Sequence, residues 1–289
     1  MKYLLPVAHF FWIIAGIVLI GALPGLLNGF SLDLISYLNE VKSIVLHLIQ
    51  PNELTYKHYA SETERDLFPA LFQPYFYSLT IFFGAFLVAA VVALLLACTI
   101  IFLRNKKIRM VKYLVFIVES LPDIVVIFSA QILVVWIHQN MGIQLFNFVT
   151  LGGEYAYFLP IVTLAILPCV YLFKVTLLSL ETELDEDYVD MARAKGVGNV
   201  VVIFKHILRN ALTGIVIHIG PVLWLMLANM VMLEYLFNMY GITQFIFANY
   251  SAEIFTLGLI MLFIPIFIVQ LLIKYIAGKF TGEAGELYV

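Results

Sequence analysis

Residues 75–103 read YFYSLTIFFGAFLVAAVVALLLACTIIFL, a run without a single charged side chain. A helix needs about 20 apolar residues to cross a hydrocarbon core of about 30 Å, and this run exceeds that length. Working outward, comparable runs fall at about 4–27, 112–137, 155–178, 212–234 and 254–277. The 289-residue chain is 63% hydrophobic and only 12% charged, whereas soluble domains hold about a quarter charged residues. The apolar residues lie in continuous blocks, not in short alternating segments, and that excludes a strand barrel. The expected fold class is all-α, a polytopic transmembrane helical bundle of six spans.

The blocks divide the chain into a first transmembrane span (1–27), an extracytoplasmic loop (28–74) and a core of five spans (75–289). Lys2 precedes the first run, which is longer than the apolar part of a secretory signal, so a retained helix is expected. Within the long loop, SLDLISYLNEVKSIVLHLIQ (31–50) sets Leu32, Ile35, Leu38, Val45 and Leu48 at helical spacing behind Ser31 as N-cap. This predicts an amphipathic helix lying on the outer leaflet or on the bundle. The acidic residues Glu62, Glu64 and Asp66 that follow fit a solvated loop or a partner contact.

Orientation follows from the basic residues. Segment 104–112 (RNKKIRMVK) holds five Lys/Arg, the stretch from Lys174 to Arg209 five more, and the two ends of the chain carry Lys2, Lys274 and Lys279. On the other side stand only Lys42, Lys57 and Arg65. Cytoplasmic loops carry the Lys/Arg excess, so both termini are expected to be cytoplasmic.

Ionisable groups within membrane spans are costly and therefore functional candidates. Glu119 and Asp123 lie four apart on one face of span three, flanking Pro122, which is expected to kink the helix. Asp123 could line a polar path, and Glu119 could instead pair with Lys112 or Arg109 of the basic loop. Gln131, His218 and Asn229 suit hydrogen bonds between helices. Glu234, at the outer end of span five, fits a gate or a packing role. Asp123, Asn229 and Glu234 are the candidate translocation-path residues. Cys98 and Cys169 sit in apolar runs without motif partners and read as small hydrophobes. Neither a metal-ligand cluster nor the H-E-x-x-H or G-x-S-x-G motif of an enzyme stands out. No G-x-x-x-x-G-K-[ST] nucleotide loop occurs, so no catalytic residue is assigned.

Between spans four and five lies DYVDMARAKGVGNVVVIFKHILRNALTG (187–214). Acidic residues open this helical stretch and basic ones close it, which suits the helix macrodipole. Gly196 and Gly198 permit a sharp turn, and a second helix carrying Lys205, His206 and Arg209 leads into span five. On physical grounds alone the segment is either a positive-inside loop on the headgroups or a rigid element that transmits a partner's movement.

Tyr188, Val189, Ala192, Arg193, Ala194, Lys195, Gly196, then Lys205-His206 and Arg209-Asn210-Ala211-Leu212, resemble a known pattern. It is the extended signature of oligopeptide/dipeptide/nickel-type permease subunits of bacterial ABC importers, Y-V-x-x-A-R-A-K-G followed by basic-His and R-N-A-L. The shorter family signature, E-A-A-x-x-x-G, is kept in part, at Asp190, Met191, Ala192 and Gly196. Glu234, Phe237 and Gly241-Ile242 are similar to that branch's E-x-x-F-x-x-P-G-L element. Departures stand at Met191, at Thr213-Gly214 and Tyr240 in place of prolines, and at the chain's end, which lacks D-P-R.

The resemblance implies a type I ABC importer permease-like fold in the bacterial cytoplasmic (inner) membrane, with peptide the commonest cargo of the branch. It implies a cytoplasmic coupling loop at 179–211. In that loop Tyr188, Asp190, Ala192, Arg193, Ala194, Lys195 and Gly196 would dock on an ATP-hydrolysing subunit. Implied partners are a second homologous permease, two cytoplasmic ATPases that hold ATP and magnesium, an extracytoplasmic substrate-binding protein and membrane lipid, with no nucleic acid. No cofactor is expected on this chain. One rival reading is a secondary transporter or channel without ATPase, using Glu119 and Asp123 as a relay, which leaves the signature unexplained; another is a family-like membrane scaffold or sensor that has lost transport.

Overall fold

A computed structural model describes residues 4–28, 31–57, 64–103, 108–141, 155–249 and 251–282. Glu62 and much of the basic loop, residues 104–107, lie outside the described residues, as does the chain's end from 283. Among the described residues six helices are long and apolar enough to cross a membrane. The chain forms two compact units, residues 1–80 with 240–269 and residues 81–239 with 270–289.

The first unit opens with α1 (Leu4–Gly21), which ends six residues before the expected limit. Pro24 and Gly25 follow in a 3-10 turn, Leu23–Leu26. Its described apolar part, Pro6–Gly21, is shorter than the six spanning helices. Two small antiparallel ribbons, β1 (Leu27–Asn28) with β2 (Ser31–Leu32) and β3 (Thr55–Lys57) with β4 (Glu64–Asp66), add strands to an otherwise helical chain. Between the ribbons runs α2 (Leu34–Ile49), the expected amphipathic helix. Its cap is Asp33 and not Ser31, because Ser31 is held in β2. The Asp33 carboxylate accepts from the Ile35 and Ser36 amides at 3.0 and 3.1 Å.

Ile44 of α2, fully buried, packs with Val18 and Ala22 from the α1 end and with Ile260. Gly21 makes the close approach at this corner feasible, since a Cβ there would collide with Thr256. The unit also holds the start of α3 (Phe72–Leu103), the short α10 (Ile242–Ala248) and most of α11 (Ala252–Thr281).

The second unit takes the rest of α3, then α4 (Ile108–Glu119) and α5 (Asp123–Met141). The expected span 112–137 is thus two helices. A residue before proline disfavours helical backbone, so the ladder stops ahead of Pro122. Ser120 Oγ donates to the Ile117 carbonyl at 2.6 Å at this break. Next come α6 (Phe158–Leu184) and α7 (Asp187–Ala194). The apolar run expected at 212–234 falls across two helices, α8 (Asn199–Ile217) and α9 (Ile219–Leu236). The break at His218 has a local cause: Pro221 has no N–H to give the Ile217 carbonyl. Thr213 and Gly214, where the resembled branch has its helix breaker, run inside α8 without interruption. π-helical turns, Val202–Ile207, lie earlier in the same helix.

Candidate functional site

The polar segment 185–198 is built from its two ends. Asp185 closes α6, Glu186 turns to extended backbone (φ −80°, ψ 142°), and α7 begins at Asp187. Asp187 and Asp190 in its first turn and Arg193 in its last complement the helix dipole. Val189 is its fully buried anchor. The Tyr188 hydroxyl donates to Glu183 Oε2 at 2.6 Å, tying α7 back to α6. Burial, and then the Glu183 carboxylate, push the Tyr188 phenol well above its ordinary range.

The end of α7 is a complete glycine cap. The Val197 amide donates to the Ala192 carbonyl at 3.2 Å, and the Gly196 amide to the Arg193 carbonyl at 2.9 Å. Gly196 sits at φ +79°, a left-handed conformation that disfavours any Cβ. Open space surrounds it, so the requirement is backbone conformation and not room. Gly198 has a different position: as N-cap of α8, with φ −64°, it adopts a conformation open to any residue. Asp187, Asp190, Met191 and Ala194, spaced three, one and three apart, form the exposed face of α7. Arg193 and Ala192 are half-buried, and Lys195 is exposed beside the cap.

The path candidates are brought together in part. Asn229 Nδ2 of α9 donates to Asp123 Oδ1 at the start of α5, at 2.9 Å. Both residues line a small cavity of about 10 Å³ with Thr163 of α6, about the size of one water. The Thr163 hydroxyl is buried there without a hydrogen-bond partner. Glu234 is fully buried and is not among the residues lining that cavity. Gln131 Nε2 donates to the Leu236 carbonyl at 2.9 Å, and Tyr171 shares a 3.1 Å hydrogen bond with His218 Nδ1. All three polar residues expected to join helices do so.

Glu119 corrects the sequence reading. The break at Pro122 removes it from a common helical face with Asp123. Its partner among the described residues is Lys174 of α6, which donates to both its oxygens, at 2.9 and 2.8 Å. Lys112 instead meets Glu181 of α6 at 2.6 Å. The missed signal was the shared charge order, Lys then Glu seven residues apart on each of α4 and α6. That order lets antiparallel neighbours pair at both ends. No signal in the sequence singled out Thr163.

Residues 91–281 match the family described as binding-protein-dependent transport system inner membrane component. That stretch includes α7, its glycine cap and the Asp123–Asn229 pair, and the chain belongs to this family. It is similar to the dipeptide transport system permease protein DppB of Escherichia coli K12, 29% identical over 42% of this chain and 36% of that protein. It is also similar to the DppB protein of Alkalihalophilus pseudofirmus, 32% identical over 41% and 38%. The glutathione transport system permease protein GsiC of Shigella flexneri is 32% identical over 40% and 38%. Each of these alignments thus spans less than two fifths of the relative's length. Among solved structures, a chain of the MetNI methionine ABC transporter, in inward-facing conformations, matches with TM-score 0.53. That match covers 73% of this chain and 94% of the other at 19% identity, and it shows the fold.

Proposed function

We propose that this chain is the permease subunit of an ATP-driven importer that takes up short peptides. It would form the translocation path with a second, homologous permease and be driven by two cytoplasmic ATPases that hold ATP and magnesium. An extracytoplasmic binding protein would deliver the cargo. Both termini would face the cytoplasm of a bacterial inner membrane, in keeping with the Lys/Arg distribution. The observation that carries the reading is α7: a rigidly capped helix between the apolar helices α6 and α8, anchored by Val189, with a polar face left exposed. Tyr188, Asp190, Ala192, Arg193, Ala194, Lys195 and Gly196 would form the docking element, and Asp123, Asn229 and Glu234 would belong to the path. The named activities of the dipeptide and glutathione relatives support peptide cargo.

The test is purification of the full chain in mild detergent with identification of the co-purifying chains. An ATPase and a second permease are expected, and their reproducible absence would overturn the reading. Gly196→Asp should abolish ATPase association or uptake while leaving membrane insertion intact.

A further inference from the structure

We propose that the cleft between α4 and α6 is a docking station for a short zwitterionic peptide, an inference that rests on the importer reading above. The two helices run antiparallel and are laced by two ion pairs of reversed order, Lys112–Glu181 and Glu119–Lys174. Each helix separates its two charges by seven residues, about 10 Å along the axis. Between the pairs lies an open cleft of about 290 Å³. Its floor is the buried Phe173 and Leu177, and its walls are Phe116 and Leu178, exposed at 66% and 63%.

The chemistry of the two ends selects the ligand. The lysine side chains are about half exposed, at 51% and 53%, and the glutamates at 26% and 32%. An ammonium carries three donors and a carboxylate about four lone-pair sites, so each pair can take a third charged group without opening. Each end therefore accepts either an ammonium, on Glu, or a carboxylate, on Lys. A molecule with one charge of each sign and an apolar middle meets both ends at once. Two or three extended residues reach about 7–10 Å, which matches the spacing. The cleft is near the lower size of small-ligand pockets, about 300 Å³. A phospholipid fits poorly, because its headgroup could use one ion pair while its acyl chain covered the other, a desolvation cost without a partner.

The test uses the full chain with its co-purifying subunits in lipid nanodiscs and a Leu-Leu dipeptide carrying a photoreactive leucine. Labelling should fall on Phe116, Leu177 or Leu178 and be competed by free Leu-Leu, not by N-acetyl-Leu-Leu-amide. Replacing one pair by neutral residues of similar size, Glu119→Gln with Lys174→Met, should weaken binding about tenfold or more. The thermal midpoint should stay unchanged. The exchanged pair, Glu119→Lys with Lys174→Glu, should keep binding, since either end takes either charge. Leu178→Trp, which fills the cleft from an exposed wall, should block labelling without touching a charge. Equal competition by the blocked dipeptide, undiminished binding by the neutral pair, or a phospholipid retained in the cleft overturns the proposal. Labelling in a preparation without ATPase would leave the cleft standing and sink the importer reading, and the converse result would do the opposite.

Discussion

Two short helices, α2 and α7, are built alike and expose faces of different chemistry. Each is amphipathic, lies outside the six helices long and apolar enough to cross a membrane, and is anchored through one fully buried residue, Ile44 or Val189. Their free faces differ. α2 exposes Leu34, Ile35, Leu38, Val45, Leu46 and Ile49, whereas α7 exposes Asp187, Asp190, Met191 and Ala194. An apolar free face suits the boundary of a bilayer, and a charged one suits a protein partner in water. The tethers differ as well. The hydroxyls of Tyr37 and Ser43 on α2 reach the Leu19 carbonyl and Glu253, with His47 beside that carboxylate. α7 has the Tyr188–Glu183 bond and its glycine cap. A helix held at several points is a fixed part of its unit, while one held at its ends can pass on a push.

The anchors give the largest expected effect. Ile44→Asp or Val189→Asp places an unpaired carboxylate at a fully buried position, at a cost of roughly 3 kcal/mol or more. Either variant should lower the thermal midpoint in detergent and expose its own helix to protease. An unchanged midpoint would mean that the helix is not anchored there. The free faces come next. Met191→Glu should weaken association with the proposed ATPase about tenfold, about 1.4 kcal/mol, with stability unchanged. Ile35→Asp should leave that association alone and reduce retention of α2 on lipid, read by fluorescence of a probe on the helix. A reversal of these two results would break the comparison outright.

The caps supply a smaller effect. Asp33→Ala removes the α2 cap and should cost about 1 kcal/mol, while Gly196→Ala forces a Cβ into left-handed backbone at about 1–2 kcal/mol. The first should act on stability alone, and the second on both stability and ATPase association. The smallest effect is in pH. The Tyr188 phenol is harder to ionise in the folded chain than its ordinary value of 10.0. Its contribution is therefore complete below pH 10 and declines as the pH rises above it. Protease access to α7 should rise in that alkaline range and stay flat near neutrality. A Tyr188→Phe chain should lose that alkaline response.

Much of this was legible in the residues because membrane spans and glycine caps are local signals. The apolar blocks located α3, α6 and α11, and the run from Tyr188 to Leu212 marked the polar turn, although most of α8 lies inside the expected loop 179–211. The span boundary at Pro221 slipped because hydropathy does not register a missing N–H. The Ser31 cap lost to Asp33 because Ser31 is held in a strand pair.

By itself the sequence determined that this chain crosses a membrane and that a capped polar helix interrupts it between apolar helices. Both follow from composition and from the backbone freedom of one glycine. Only the tertiary structure decided which charges meet. Lys112 pairs with Glu181, Lys174 with Glu119, and Asn229 with Asp123. Those partners lie 69, 55 and 106 residues apart. Their meeting depends on how helices pack side by side, which no local pattern encodes.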